Sequence, residues 1–336
     1  MRALTSALLA LVLCTCASRP TLDDTALERA AGLAAETSRS RLMADVEALA
    51  QAHAEDTPLP CDLFEPGTDS DRRPVCHVTR DRAREFVRAR LQGLGLDVTS
   101  HDVADARFPT TNLIAEIPGS TWPDEVVLVG AHYDSYFQGA DDNSSGVAAL
   151  LEMARLAAGG RFKRTVRFVG FDLEELGLVG STRYVRAHPD ERIVAAIVFD
   201  CIGYRDPTPG AQQGLPGFPV PPQGDFIAAI GNEPSRLQVE ELKLLGARLA
   251  GTAPVIGIVT PQDGSGPASG NLMRSDHAPF WITGKNALFL TDTANFRNPH
   301  YHLDTDVPST LDADFLTAVT RLSAAGLFYW AEAPQP

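Results

Sequence analysis

The chain has 336 residues, with 29 Lys+Arg against 43 Asp+Glu for a formal charge of −14; 44% is hydrophobic and 21% charged. That is ordinary globular composition, which excludes a disordered chain, a fibrous repeat and a polytopic membrane protein. A pI near 5.0 also argues against a nucleic-acid or anionic-membrane partner, because both require a net basic face.

The N-terminus reads as an export signal over residues 1–18. Met1-Arg2 supplies one positive charge, and 3–13 is an apolar stretch of signal length, too short to span a bilayer as a mature helix. Cys14 and Cys16 follow, as in a lipoprotein signal, although Leu13 and Thr15 are not the small residue such a signal places ahead of its cysteine. Cleavage near Ala17-Ser18 gives free secretion instead, so periplasmic, secreted and lipid-anchored forms all stay open. Export implies an oxidising compartment. There Cys61 and Cys76, which flank the polar segment 62–75, read as a disulfide closing a surface loop. Cys201 lies in the apolar run 197–202 and reads as a buried, inert thiol.

Residues 22–56 are helical in character, and Met43, Val46, Leu49 and Ala50 fall at the spacing that docks a helix on a core. A second helix is expected over 79–94, with the stripe Ala83, Phe86, Val87, Leu91 and Leu94 and a stop at Gly95. Apolar runs then recur at 112–117, 126–131, 165–172, 193–200, 226–231, 255–259 and 287–291. Several show no in/out alternation, the pattern of a strand buried on both faces. Helical stretches at 144–158, 181–188, 235–249 and 311–330 lie among them. This alternation predicts an α/β fold, a three-layer α/β/α sandwich around a mixed, mostly parallel sheet. No composition break divides it, so 22–336 reads as one domain. The stretch 206–224, with six Pro and four Gly, is a long inserted loop.

Polar side chains gather after the strands. Run 126–131 leads into His132-Tyr133-Asp134-Ser135, and Asp141-Asp142 precedes the next helix. Run 165–172 leads into Glu174-Glu175, and 193–199 ends on Asp200. Run 287–291 leads to a loop with His300, His302, Asp304 and Asp306. In open α/β sheets ligands bind outside the carboxyl ends of the strands. His and carboxylates without Cys are the donors expected for zinc, or less often another divalent ion. Carboxylates here outnumber the needs of one ion, and one can bridge two metals about 3.5–4 Å apart. Glu174 and Glu175 then divide, one toward a metal and one as general base. Singly, each motif is more often a solvated turn, a helix N-cap or surface charge; together, at consecutive strand ends, coincidence is a poor account.

Across roughly residues 80–330, in order and spacing, six segments resemble the M28 family of zinc aminopeptidases. They are Gly130-Ala131-His132-Tyr133-Asp134-Ser135, Gly139-Ala140-Asp141-Asp142-Asn143-Ser144-Ser145-Gly146, Phe171-Asp172-Leu173-Glu174-Glu175-Leu176-Gly177 with Gly180-Ser181, Phe199-Asp200, Ser275-Asp276-His277-Ala278-Pro279-Phe280-Trp281, and Asn298-Pro299-His300-Tyr301-His302. The resemblance implies two Zn²⁺ per chain. His132 and Asp200 match the ligands of one, Glu175 and His302 those of the other, and Asp142 the bridging carboxylate. The bond from Asp142 to Asn143 resembles one that is cis in the family. Glu174 matches the general base, which takes a proton from the attacking water and passes it to the leaving amine. Asp134 matches the carboxylate that orients His132, and Ser275 is placed to support His302. Asp276 belongs to the same segment. His277 reads as supporting the site or lining the substrate pocket, and His300 as structural. The implied activity is aminopeptidase action on peptides with a free N-terminus.

Two departures stand out. The family usually has His-Thr-x-x-Asp-Thr where this chain has His302-Leu303-Asp304-Thr305-Asp306-Val307, and Cys201 follows Asp200 where Met is common. Neither touches a proposed ligand. The nearest rival is glutaminyl cyclase, similar in fold but working with one zinc. The short step from Glu175 to Gly180-Ser181 looks more like the peptidases. A non-catalytic relative would lack ligands, yet all five positions are filled. A deacylase or carboxypeptidase on a similar scaffold is the remaining alternative.

Overall fold

The computed structural model describes residues 20–60, 77–214, 219–266 and 269–334. The export signal, Cys14, Cys16 and the expected Cys61–Cys76 disulfide lie outside these residues.

Two helices open the described chain. In α1 (Asp24–Ala35) the Asp23 carboxylate caps the first turn by accepting from Ala26 N–H. In α2 (Arg39–Ala54) the Ser38 hydroxyl does the same for Arg41. The helical stretch expected at 22–56 is thus two helices, parted where Ser38 offers the second its own cap. Leu42, Val46 and Leu49 of α2 are fully buried, and so are Ala83, Val87 and Leu91 of α3 (Asp81–Gly93). Docking of α1 onto the last helix, α8 (Ala313–Glu332), is fixed at its ends. Asp23 N–H donates to the Tyr329 hydroxyl at 3.0 Å, and Arg29 pairs with Glu332 at 2.6 Å.

The remaining elements are β1 (Val78–Thr79), β2 (Val98–Val103), β3 (Thr110–Ile117), β4 (Trp122–His132), β5 (Ser135–Tyr136), α4 (Gly146–Ala157), β6 (Arg164–Phe171), α5 (Val179–Ala187), β7 (Arg192–Phe199), β8 (Ile227–Gly231), α6 (Arg236–Arg248), β9 (Val255–Val259), α7 (Ala278–Ile282) and β10 (Leu288–Thr291). Eight strands form one sheet in the order β2-β3-β6-β4-β7-β10-β8-β9. At its centre β6, β4, β7 and β10 run parallel. Antiparallel pairings join β3 to β6, β2 to β3, and β8 to β10, and β9 is parallel to β8. The sheet is mixed, as expected, with its parallel block in the middle. That block brings the carboxyl ends of β4, β6, β7 and β10 to one edge.

Both faces of the sheet are covered. Val127, Val129 and Ala131 of β4 pack with residues of α1–α4, α6 and α8. The alternate side chains, Val126 and Leu128, pack with α5 and α7. This is the three-layer sandwich, and it explains why β4 reads as an unbroken apolar run. The edge strand β2, with the sequence VTSHDV, is half-exposed throughout and has too few apolar residues to stand out in the sequence. Among the described residues no helix is long and apolar enough to cross a membrane. The inserted loop closes at its base, where Asp206 and Gly224 exchange backbone hydrogen bonds. Cys201 is buried and free, as read.

Candidate metal centre

The edge where the parallel strands end gathers the expected ligands. His132 is the last residue of β4. Asp200 directly follows β7, and Glu174 and Glu175 lie on the turn between β6 and α5. Asp142 sits in the wide turn Ala140–Ser145 that enters α4. That turn begins at Gly139 with φ 45°, where an added Cβ would overlap Ser135 Oγ and the Asp142 carbonyl. The Asp142–Asn143 peptide is cis. His302 comes from the loop after β10. It is held with φ 58° and stacks on Tyr301, ring centroids 3.8 Å apart.

These side chains converge. His132 Nε2 lies 3.3 Å from Asp142 Oδ1 and 3.7 Å from Asp200 Oδ2. His302 Nε2 lies 3.0 Å from Asp142 Oδ2 and 3.1 Å from Glu175 Oε2. Three donor groups result; two of them, His132/Asp142/Asp200 and Asp142/Glu175/His302, share Asp142, and the third is His132/Glu174/Glu175. Both Nε2 atoms, Asp142 Oδ1 and Glu175 Oε1 are buried without a hydrogen-bond partner. Ligand atoms about 2.0–2.1 Å from a tetrahedral zinc stand about 3.3 Å from each other. The donor types and their spacing therefore fit two such ions sharing one carboxylate. Glu174 approaches the first group from the side, its Oε2 4.0 Å from His132 Nε2.

The charges here are in conflict. Burial favours a neutral His132, but the carboxylates of Glu174, Asp134, Asp142 and Asp200 push it well above the usual imidazole value. Burial likewise opposes a charged His302, yet Glu175 and Asp142 lift it to about 10. Burial carries Glu175 up to about 7. It carries Glu174 well above the carboxylate range, with Asp200, Glu175 and Asp276 adding to the shift. Dications set among these atoms would satisfy carboxylates and imidazoles together.

A second layer holds the ligands in place, in part differently from expectation. His132 Nδ1 hydrogen-bonds to the backbone carbonyl of Asp134 at 3.0 Å, while the Asp134 carboxylate stands 3.7 Å away. That carboxylate instead accepts from Glu174 N–H and Glu175 N–H at 3.0 and 3.1 Å. Asp134 thus orients His132 through its main chain and the two glutamates through its side chain. Ser275 is buried, but its hydroxyl makes no hydrogen bond and does not hold His302; ring stacking does. Asp276 is buried; burial lifts its carboxyl to about 7, against the opposing pull of a hydrogen bond from the Ser181 side chain. His277 lies behind the site. It bonds the Leu272 carbonyl at 2.7 Å and stacks on Phe289 at 4.3 Å. His300 bonds Thr305 at 3.0 Å.

Sequence reasoning missed Asp306, which it saw only as part of a variant motif. Its carboxylate accepts Asp141 N–H at 3.0 Å and Asp142 N–H at 3.1 Å. It missed Asp141 too, whose oxygens take Gly203 N–H at 2.8 Å and Asn298 Nδ2 at 2.7 Å. The available signal was an aspartate four residues after a ligand histidine, directly facing the Asp-Asp pair only in space.

Beside Asp200 opens a pocket whose apolar wall is Ile230, Leu272, Phe289, Phe296 and Tyr301, with Arg274, Asn271, Asn295, Thr291 and Thr293 as its polar lining. The inserted loop buttresses its wall. Gln213 N–H donates to the Phe296 carbonyl at 2.8 Å, and Gln212 bonds Thr293 and Arg297.

The family model described as Peptidase family M28 matches residues 112–327. Over 251 residues the chain is 34% identical to the Escherichia coli K12 protein described as uncharacterized protein YfbL, covering 69% of this chain and 75% of that one. A Pseudomonas aeruginosa aminopeptidase is 47% identical over 107 residues, 30% of this chain but only 20% of that protein. Among solved structures, the Legionella pneumophila LapA aminopeptidase superposes with a TM-score of 0.68 at 18% identity, covering 94% of this chain and 78% of that one. A Porphyromonas gingivalis glutaminyl cyclase superposes with a TM-score of 0.60 at 18% identity, covering 87% and 98%. At such identities the two structures share this fold.

Proposed function

The chain belongs to peptidase family M28, and from that membership we propose that it is an exported di-zinc aminopeptidase. The observation that carries the reading is the meeting of two donor groups at Asp142, each completed by one imidazole and one further carboxylate. His132, Asp142 and Asp200 would hold one zinc, and Asp142, Glu175 and His302 the other. Bound zinc supplies Lewis acidity toward water and a scissile carbonyl. Glu174 stands outside both bridged groups and is free to move a proton. Its carboxylate takes one from the attacking water and delivers it to the leaving amine. The pocket beside Asp200 is suited to the side chain of the substrate's first residue, and its apolar lining favours Leu- or Phe-like residues there. Export rests on the character of residues 1–18.

Metal analysis of the purified chain, beside an aminoacyl-anilide panel and a peptide with N-terminal Gln, tests this reading. About two zinc per chain with release of apolar residues supports it. Cyclisation of the Gln peptide without amide cleavage, at one zinc per chain, assigns the protein to the cyclase activity of its structural neighbour instead.

A further inference from the structure

Residues 20–111 precede the stretch matched by the family model, and some of them reach the back of the metal centre. Glu174 and Glu175 ride on the loop 172–180, whose two ends are clamped together. Gly180 N–H donates to the Asp172 carbonyl at 2.9 Å. Asn112 Oδ1 accepts Asp172 N–H at 3.0 Å, and its Nδ2 donates to the Gly180 carbonyl at 2.9 Å. A Cβ at Gly180 would run into the Asp172 carbonyl and Asn112 Oδ1. Within the loop Leu173 and Leu178 adopt φ of 55° and 59°, so contacts rather than local preference hold its shape.

The Asp172 side chain is fully buried. It accepts Thr111 N–H at 2.8 Å and Arg80 Nη1 at 2.9 Å. Arg80 is itself anchored: Nη1 also donates to the Pro109 carbonyl at 2.8 Å. Its backbone N–H donates to Asp56 Oδ2 at 3.1 Å, which also takes Arg82 N–H. Arg80 therefore ties the end of α2, through its backbone N–H, and the start of α3 to the loop that carries both glutamates, which its guanidinium grips at Asp172.

We propose that Arg80 is a positioning residue for the reaction, setting through its ion pair with Asp172 where Glu174 and Glu175 stand. The proposal rests on the peptidase reading above. Arg80 touches none of the five ligands. Without it, a buried carboxylate at the loop's first residue loses its cation, and the loop end must move or take up a proton. Either change reaches Glu174 within two residues.

The test uses the full chain with Arg80→Met, Arg80→Lys and Asp172→Asn. It reads kcat and KM on an aminoacyl-anilide, and zinc affinity by titration with the metal alone. For Arg80→Met, kcat should fall about 10–100-fold and zinc should bind more weakly, while KM stays within about twofold. Asp172→Asn, which keeps an acceptor for Thr111, should show the same split, and Arg80→Lys should recover most of kcat. Unchanged kcat and zinc affinity in Arg80→Met overturns the proposal. So does a loss of activity that merely follows the folded fraction measured by circular dichroism. If the wild-type chain releases no anilide, the peptidase reading fails, and the zinc-affinity arm still decides the role of Arg80.

Discussion

Asp134 is joined to Glu174 through the main chain, its Oδ1 accepting the Glu174 N–H at 3.0 Å. The other oxygen takes Glu175 N–H, so one buried carboxylate fixes the start of the turn that presents a base and a ligand side by side. Asp134→Ala should lower both turnover and zinc affinity by about 10–100-fold. Asp134→Asn retains one acceptor but turns an NH₂ toward the second N–H, and should lie between wild type and Asp134→Ala. Kinetics together with metal content of the purified variants checks the order.

Asp306 makes a separate prediction, because it caps the turn that carries the bridging ligand. Asp306→Ala leaves Asp141 N–H and Asp142 N–H without their acceptor in a buried site. Each unpaired group costs about 1–3 kcal/mol, so denaturant unfolding should show a clear loss of stability. Asp306→Asn keeps one acceptor and should be milder. Equal stability for wild type and Asp306→Ala would contradict this account.

Glu174→Gln separates base from ligand. Glu174 belongs to neither of the groups that share Asp142, so the variant should keep its zinc. Losing a positioned base removes about 10²–10⁴ in rate. A variant that turns over normally, or that loses metal, shows that Glu174 has been given the wrong task.

Two buried histidines predict an acid limit to stability. Burial lowers both His53 and His277 from 6.5 to about 4. Their folded-state values are depressed, so the unfolded chain binds protons first. The stability they confer is whole above about pH 6.5 and drains away as pH falls toward 4. Each ring contributes a slope of up to about 1.4 kcal/mol per pH unit in that window. Unfolding measured across this range should show the fall. His277→Gln, which can still donate to the Leu272 carbonyl but cannot titrate there, should flatten it. An identical slope in the variant would rule out His277 as a source.

His132 and Asp200 were legible because each closes an apolar run, where sequence and strand register point the same way, whereas Asp142, Glu175 and His302 were picked out by the resemblance of their segments to the family. His132 at the end of β4 and Asp200 after β7 need only the parallel sheet to meet. The residues behind them were not legible, because their partners are remote in the chain. Asp306 and Asp142 are 164 residues apart, and Arg80 and Asp172 are 92 apart. No periodicity links such pairs. Ser275 shows the opposite failure: it stands in a recognisable segment, yet the local path of the chain leaves its hydroxyl unengaged. The break between α1 and α2 was signalled by Ser38, and β2 was hidden by its polar, exposed edge position.

The docking of α1 on α8 bears on how the chain comes to be folded. Asp23 and Tyr329, which hydrogen-bond, are separated by 306 residues, so α1 waits for α8 before it can bury its apolar side. Contacts of such long range slow folding, because the loop they close must be ordered first. A nascent chain that still lacks α8 therefore exposes the Ala26, Ala30 and Ala34 stripe of α1, and this layer of the sandwich closes only after α8 has emerged.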